Sequence, residues 1–234
     1  MNSKTKNDIA WEKIFSQFEI LKELESKEYY LISSEQIKEF REPRLMTKFD
    51  HKKNLPSIFK QNNLSVLPIT RGTYLLSHFD AYFDFEELNK EIIYLDFPEN
   101  IESIDYTNIT SEAIAIHCAY LCGIFNDFLD ENELLPTFSG RMSSGLFRFK
   151  IWNHKSSQNV CIDVENSQIE IDAGYEALNS LIIIEAKNSI SSDFLIRQLF
   201  YPYKLWSNKT TKKIRLIFMI YTNGIFNLFE YTFK

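Results

Sequence analysis

The sequence predicts a mixed α/β (α+β) chain of two units: a small helical unit carrying a β-hairpin, then a larger one in which helices cover a mixed sheet. Three observations predict it. Apolar residues recur at helical spacing in the first 60 residues, two apolar runs then flank a glycine-containing turn, and the second half places strand-sized apolar segments between two long helical ones. The 234 residues, 44% hydrophobic and 25% charged, are enough for two cores and exclude disordered and collagen-like chains.

In chain order, residues 9–25 place Trp11, Ile14, Phe15, Phe18, Leu21 and Leu24 on one helical stripe, with Asp8 as the N-cap. Residues 33–40 form a second helix, opened by the capping-box pair Ser33 and Gln36. Pro56 opens a short third helix through Gln61. The runs 64–69 and 74–79 make the hairpin, with Gly72 supplying the positive φ that its turn requires. Three short helices and a hairpin, with bases around the second and third helices, predict a winged helix-turn-helix over residues 1–80. Residues 81–108, acidic and aromatic without period, connect it to a second domain at 109–234. There, residues 111–128 form a helix apolar on most sides. Segments of β composition follow at 145–152, 160–165, 169–178 and 181–187, then a helix over 192–206, then strands at 214–221 and 226–233 around the hairpin dipeptide Asn223-Gly224. The order reads αβββαββ.

A formal charge of −6 and a pI of about 5.4 argue against a protein that coats nucleic acid through bulk basicity. The charge is unevenly spread. Residues 36–60 hold seven bases against three acids and residues 187–215 seven bases against Asp193 alone, whereas 79–135 holds fourteen acids and one base, Lys90. Arg41, Arg44, Lys48, Lys52, Lys53 and Arg71 of the first unit, with Arg141, Arg197 and Lys204 of the second, are the candidate phosphate contacts on double-stranded DNA. No apolar run approaches the roughly 20 residues of a membrane span, and residues 1–8 carry no apolar secretion signal, so the cytoplasm is expected. Three cysteines make no disulfide framework and read as small buried hydrophobes, and the four histidines show no metal-ligand spacing.

The chemistry concentrates in residues 168–187. A hairpin turning at Asn179-Ser180 sets Asp172 across from Lys187 and Gly174 across from Glu185. The period of two then puts Glu170, Asp172, Glu185 and Lys187 on one face, and Ile171, Ala173, Tyr175, Ile182, Ile184 and Ala186 on the other. Clustered carboxylates are costly unless neutralised, and the oxygen shell that they offer suits Mg²⁺. Lys187 would orient or deprotonate an attacking water and stabilise charge on a phosphate, and Gly174 leaves room for a ligand at the sheet. Glu112 reads as an acid favoured at a helix start.

Asp172 followed by Glu185-Ala186-Lys187, with a helix before the strand hairpin and another after it, resembles the PD-(D/E)xK nuclease superfamily. Ile171 stands where the name of the motif has proline, a position that varies in that superfamily. The runs Arg41-Glu-Pro-Arg-Leu-Met-Thr-Lys-Phe-Asp50, Leu67-Pro-Ile-Thr-Arg-Gly-Thr-Tyr74 and Asp193-Phe-Leu-Ile-Arg-Gln-Leu-Phe-Tyr-Pro-Tyr-Lys-Leu-Trp206 look like those of prokaryotic type II restriction endonucleases that join a winged helix to this core. Gln198, eleven residues after Lys187, is similar to the supporting glutamine of RecB-like relatives, with Pro202 where those place a tyrosine. The resemblance implies an αβββαβ restriction-endonuclease-like core and Mg²⁺-dependent hydrolysis of double-stranded DNA at a specific sequence. It implies Asp172 and Glu185 as metal ligands, Lys187 and Gln198 as further catalytic residues, and a homodimer on palindromic DNA. The competing expectations are a RecB-like or repair nuclease without strict specificity, and a non-catalytic winged-helix regulator.

Overall fold

A computed structural model describes residues 4–85 and 92–233. The described chain is a mixed α/β protein. In order it forms α1 (Lys6–Gln17), α2 (Ile20–Ser26), β1 (Tyr30–Ser33), α3 (Ser34–Lys38), α4 (Pro43–Thr47), α5 (Ser57–Gln61), β2 (Ser65–Pro68), β3 (Thr73–Ser77) and β4 (Tyr82–Asp84). Then come α6 (Glu112–Leu121), α7 (Ile124–Leu129), β5 (Leu135–Ser143), β6 (Leu146–Asn153), β7 (Gln158–Glu165), β8 (Gln168–Glu176), β9 (Ser180–Lys187), β10 (Asp193–Leu195), α8 (Arg197–Ser207), β11 (Lys213–Thr222) and β12 (Ile225–Tyr231). Two compact units result, and neither is one continuous stretch. The first gathers the described residues of Met1–Asp84 with Ser143–Gln168 and Asp193–Arg197; the second holds those of Phe85–Met142 with Ile169–Ser192 and Gln198–Lys234.

The first unit packs α1 to α5 with the antiparallel sheet β1-β3-β2. Trp11, Phe15 and Phe59 meet edge to face at 4.8 to 6.0 Å in its core, and the Trp11 indole donates to the Met46 carbonyl at 2.9 Å. The Ser33–Gln36 capping box forms as expected. Two expectations are corrected. The helix over 9–25 is two helices, broken where Glu19 adopts φ 47°, and its N-cap is Thr5, with Asp8 three residues inside. Gly72 does not carry positive φ; its backbone carbonyl instead accepts from Ser34 N–H at 2.7 Å, and a Cβ there would come within 3.2 Å of the Ser34 hydroxyl.

Asp8 fastens this unit. Its carboxylate accepts from the Thr5 amide and hydroxyl and from the Ser57 amide at 2.6 to 2.9 Å, joining α1 to the start of α5. Burial alone would raise its pKa, but these hydrogen bonds outweigh it and hold the group at about 2, against 3.8 ordinarily. A carboxyl depressed in the folded state gives stability present above its unfolded pKa and lost as pH falls toward the folded value. The Asp8 contribution, about 2 kcal/mol from the size of the shift, therefore disappears between about pH 4 and pH 2. In Asp8→Asn the fall in urea midpoint over that window should be shallower than in the parent protein; parallel curves would show that Asp8 plays no such part.

The remainder of the first unit comes from later in the chain. The hairpin β6–β7 is a separate antiparallel two-stranded sheet. It is tied down by Asn153 donating to the Glu28 carbonyl at 3.0 Å, by Ser156 and Gln158 donating to the Glu28 carboxylate at 2.7 Å, and by Lys155 donating to the Leu24 carbonyl. β10 pairs antiparallel with β4, so residues 193–195, expected as the first turn of the post-motif helix, are strand. Cys161 lies exposed on β7, contrary to the expectation of a buried thiol, whereas Cys118 is buried and Cys122 partly so; all three are unpaired.

The second unit is built on the sheet β12-β11-β9-β8-β5. β9 runs antiparallel to β8 and parallel to β11, and β11 antiparallel to β12 across a turn in which Asn223 and Gly224 both take positive φ. One face buries Ala173, Tyr175, Ile182, Ile184, Ala186, Ile217 and Met219 against Ala115, Ile116, Ala119, Phe125 and Leu129 of α6 and α7. The expected single helix over 111–128 is divided at Gly123, whose φ of 73° suits glycine. α8 covers the opposite face, where Trp206 stacks on Phe138 at 4.3 Å. Within this unit the element order is αβββαββ, counting α6–α7 as one layer, but its first strand is β5 rather than 145–152. It runs on through Arg141 to Ser143, ahead of the first segment that the sequence marks as strand. The expected connector at 81–108 holds β4, and its residues 86–91 lie outside the described residues. No helix among the described residues is long and apolar enough to cross a membrane.

Candidate active site

The strands β8 and β9 place the candidate residues. Their register pairs Ala173 with Ile184, Gly174 with Ile183, Tyr175 with Ile182 and Glu176 with Leu181, and Ala177 N–H closes on the Ser180 carbonyl at 3.0 Å. The turn is therefore Leu178-Asn179, one residue earlier than expected, and every pairing moves by two. Asp172 falls level with Glu185 instead of Lys187, and Gly174 lies beside Ile183 instead of Glu185. Because a shift of two conserves side-chain parity, the predicted division into a core face and a charged face survives.

At the open end of this hairpin Asp172 leaves the ladder, and its carboxylate accepts the Ala186 backbone N–H at 2.8 Å. That bond fixes Asp172 next to the strand carrying Glu185 and Lys187. Glu185 is 5% exposed, and one of its oxygens accepts from both the Lys187 ammonium and the Gln198 amide. Gln198 is the second residue of α8, so the helix that covers this face also orients the carboxylate. Burial works against the Lys187 charge, but the adjacent Glu185 and, more weakly, Glu112 and Asp172 hold its pKa above the usual lysine value. Lys187 is thus a buried cation in an acidic surround, protonated at neutral pH.

Gly174 does not open space for a ligand. A Cβ there would overlap the ring of Phe138, which fills the place where a side chain would stand and carries Trp206 on its other side. Glu170 shares the charged face and pairs with Arg141 of β5 at 3.4 Å, both about half exposed. The oxygens of Gln198 and Asn188 and the indole nitrogen of Trp206 are buried without hydrogen-bond partners. Sequence reasoning did not find the Phe138–Trp206 cover, because the two residues are 68 positions apart and nothing in the spacing joins them.

The donor set fits a hard divalent cation: two carboxylates on adjacent strands, with a buried and unsatisfied amide oxygen on Gln198, whose nitrogen is bonded to one of them. Among the described residues no three His, Cys, Asp or Glu side chains form a group that could hold a metal ion.

The candidate phosphate contacts divide between the units. Arg41, Arg44, Lys48, Lys52, Lys53, Arg71 and Arg197 belong to the first, and Arg141 and Lys204 to the second. Arg44, Lys48, Lys53 and Arg71 are exposed, Lys52 pairs with Asp84 at 2.6 Å, and the Lys204 ammonium lies 5.8 Å from the Phe200 ring centre.

Comparison with known proteins adds family membership. The profile described as Domain of unknown function (DUF6997) matches residues 77–234, and that described as Domain of unknown function (DUF6996) matches residues 8–76. The chain belongs to the first of these families, whose profile covers more than half of it. No curated protein and no solved structure matches significantly.

Proposed function

We propose that this member of the DUF6997 family is a divalent-cation-dependent endonuclease of the PD-(D/E)xK type that cleaves double-stranded DNA in the cytoplasm, as a type II restriction enzyme does. The observation that carries the reading is the convergence of Asp172, Glu185, Lys187 and Gln198 at one end of β8 and β9 through the hydrogen bonds described above. Further support comes from the αβββαββ order around that hairpin and the parallel β9–β11 pairing across α8. We read the first unit as a winged helix, on the strength of α3 to α5, the β2–β3 hairpin and its exposed bases; it would read the DNA sequence. Two-fold pairing of the protein on palindromic DNA follows from that reading.

Asp172 and Glu185 would hold the cation, which when bound supplies Lewis-acid polarisation of the scissile phosphate and a more acidic attacking water. The chain itself does the rest. Ala186 N–H keeps Asp172 turned toward its neighbour, and Gln198 keeps Glu185 in one rotamer. Lys187, as a protonated ammonium, orients the incoming water and stabilises charge developing on phosphate oxygens.

Digestion of plasmid DNA with Mg²⁺ tests this. Discrete fragments are expected. A smear would replace restriction by unspecific, repair-type cleavage. Retarded but intact DNA, with Mg²⁺ and with Mn²⁺ alike, would overturn the nuclease reading in favour of a regulator.

A further inference from the structure

One buried carboxylate of the first unit has no part in the chemistry described above. Asp193 is 4% exposed, and residues 51 and 52 grip it from two sides. His51 Nδ1 lies 2.9 Å from its backbone carbonyl and 3.1 Å from its Oδ1, and the Lys52 N–H donates to its Oδ2 at 2.8 Å. Both partners of Nδ1 are acceptors, so that nitrogen is the donor. His51 is itself buried. Replacing a buried polar pair of this kind by apolar side chains often leaves stability unchanged, so its effect is to be sought in the geometry that it fixes.

That geometry is the start of α8. Asp193 lies six residues after Lys187 and five before Gln198, so the connection between those two site residues passes through it. β10 has three residues and pairs with β4, also of three, and Ile196 N–H adds one bond to the Ala81 carbonyl at 2.9 Å. A ladder this short is marginal by itself and leaves its register to the side chains. Phe194 and Leu195, both buried, hold the segment down, while the directed bonds of Asp193 hold it lengthwise. Asp193–Arg197 belongs to the first unit, and the next residue in the chain, Gln198, donates to Glu185. Any slip of β10 along β4 is passed on to that amide through the covalent chain.

The grip comes from a segment that has its own place in the proposed function. Residues 48–53, between α4 and α5, include the exposed bases Lys48, Lys52 and Lys53. A second connection repeats the arrangement. Glu165 N–H donates to the Ile69 carbonyl at 2.8 Å and the buried Ser167 hydroxyl to the Pro68 carbonyl at 3.2 Å, at the foot of the turn that bears Arg71. β8 then begins at Gln168 and reaches Asp172 four residues on.

We propose that Asp193 is a positioning residue: clasped by His51 and Lys52, it sets where α8 begins and thereby holds Gln198 against Glu185, tying the basic segment 48–53 to the metal site through the covalent chain. The inference rests on cation-dependent cleavage as proposed above and adds the route by which DNA held on that segment influences the carboxylate.

The test is the single-turnover rate of plasmid cleavage with Mg²⁺ at saturating protein, where DNA affinity no longer counts, alongside Mn²⁺ binding without DNA by calorimetry and thermal melting. His51→Ala should slow cleavage and weaken Mn²⁺ binding by about 10-fold or more, within the 10–100-fold range for loss of an outer partner of a metal site. His51→Asn, whose N–H₂ can stand where Nδ1 does, should recover both. In a Gln198→Ala background His51→Ala should cost nothing further, because the pair acts through that amide. Should His51→Ala fail to fold, Asp193→Asn takes its place, since it keeps an oxygen for the Lys52 N–H and sets an N–H₂ against His51. A purely structural pair would lower the melting temperature and leave rate and Mn²⁺ affinity at their wild-type values. That result overturns the proposal and leaves the nuclease reading standing. Equal losses in the wild-type and Gln198→Ala backgrounds overturn it too, since His51 would then act by another route. A parent protein that neither cleaves DNA nor binds Mn²⁺ would remove the cation-dependent reading and this inference with it.

Discussion

Lys187→Met is expected to slow Mg²⁺-dependent cleavage of duplex DNA about 10²–10³-fold in single turnover, the usual cost of removing one preorganised charge donor from a developing oxyanion. The side chain is 12% exposed and bonded to Glu185, so methionine fills its volume without its charge. Removing the ammonium also removes the competitor for the Glu185 oxygen, leaving the Gln198 amide to hold that carboxylate. Cation affinity should accordingly be kept or increase. A fall in rate with metal binding intact is the signature of a group acting on the phosphate or the attacking water. Equal loss of both would reduce Lys187 to a structural counter-ion, and full cleavage by the variant would disprove the assignment of the site. Lys187→Arg should not restore activity, because a planar guanidinium does not fit a place shaped for a point charge.

Gly174→Ala should destabilise the second unit by about 2 kcal/mol, within the 1–3 kcal/mol range for an overpacked core. The added methyl would enter the Phe138 ring, and that ring cannot withdraw freely because Trp206 stacks on it at 4.3 Å. For a chain of this length each kcal/mol lowers the melting temperature by about 2–4 °C. Phe138→Leu in the Gly174→Ala background should recover part of the loss, since the two substitutions touch the same space and are not additive. An alanine variant that melts with the parent protein would show that Phe138 moves aside at no cost, reviving the possibility of ligand approach at this point of the sheet.

Parity was the feature of the hairpin most legible from sequence. Alternation over residues 169–187 assigned each side chain to a face whatever the turn, so the apolar core and the cluster of Asp172, Glu185 and Lys187 could be read directly. The pairing could not, because two turns one residue apart give the same alternation and only backbone geometry chooses between them. The break at Glu19 was invisible for a related reason: apolar spacing continues across it, and a single left-handed residue leaves no periodic trace. β5 was hidden by Pro136 and Gly140, which argue against a strand interior but are tolerated at the edge of a sheet, where this strand lies. Gln198 was found through resemblance. Its contact with Glu185, thirteen residues away, depends on where α8 crosses the sheet, which local sequence does not determine.

The first unit is assembled from three separated stretches of chain, and that has a consequence for synthesis. Its amino-terminal part leaves the ribosome well before β6–β7 and β10 exist, and the bonds that Glu28 accepts from Asn153, Ser156 and Gln158 must wait for them. About 80 further residues separate Asp84 from Glu165, the end of β7, which at ~5–20 residues per second is a delay of roughly 4–16 s. During that interval the nascent helices and the β1-β3-β2 sheet lack their closing hairpin. The wild-type chain therefore has a window in which chaperone capture competes with completion, and slower translation would lengthen it.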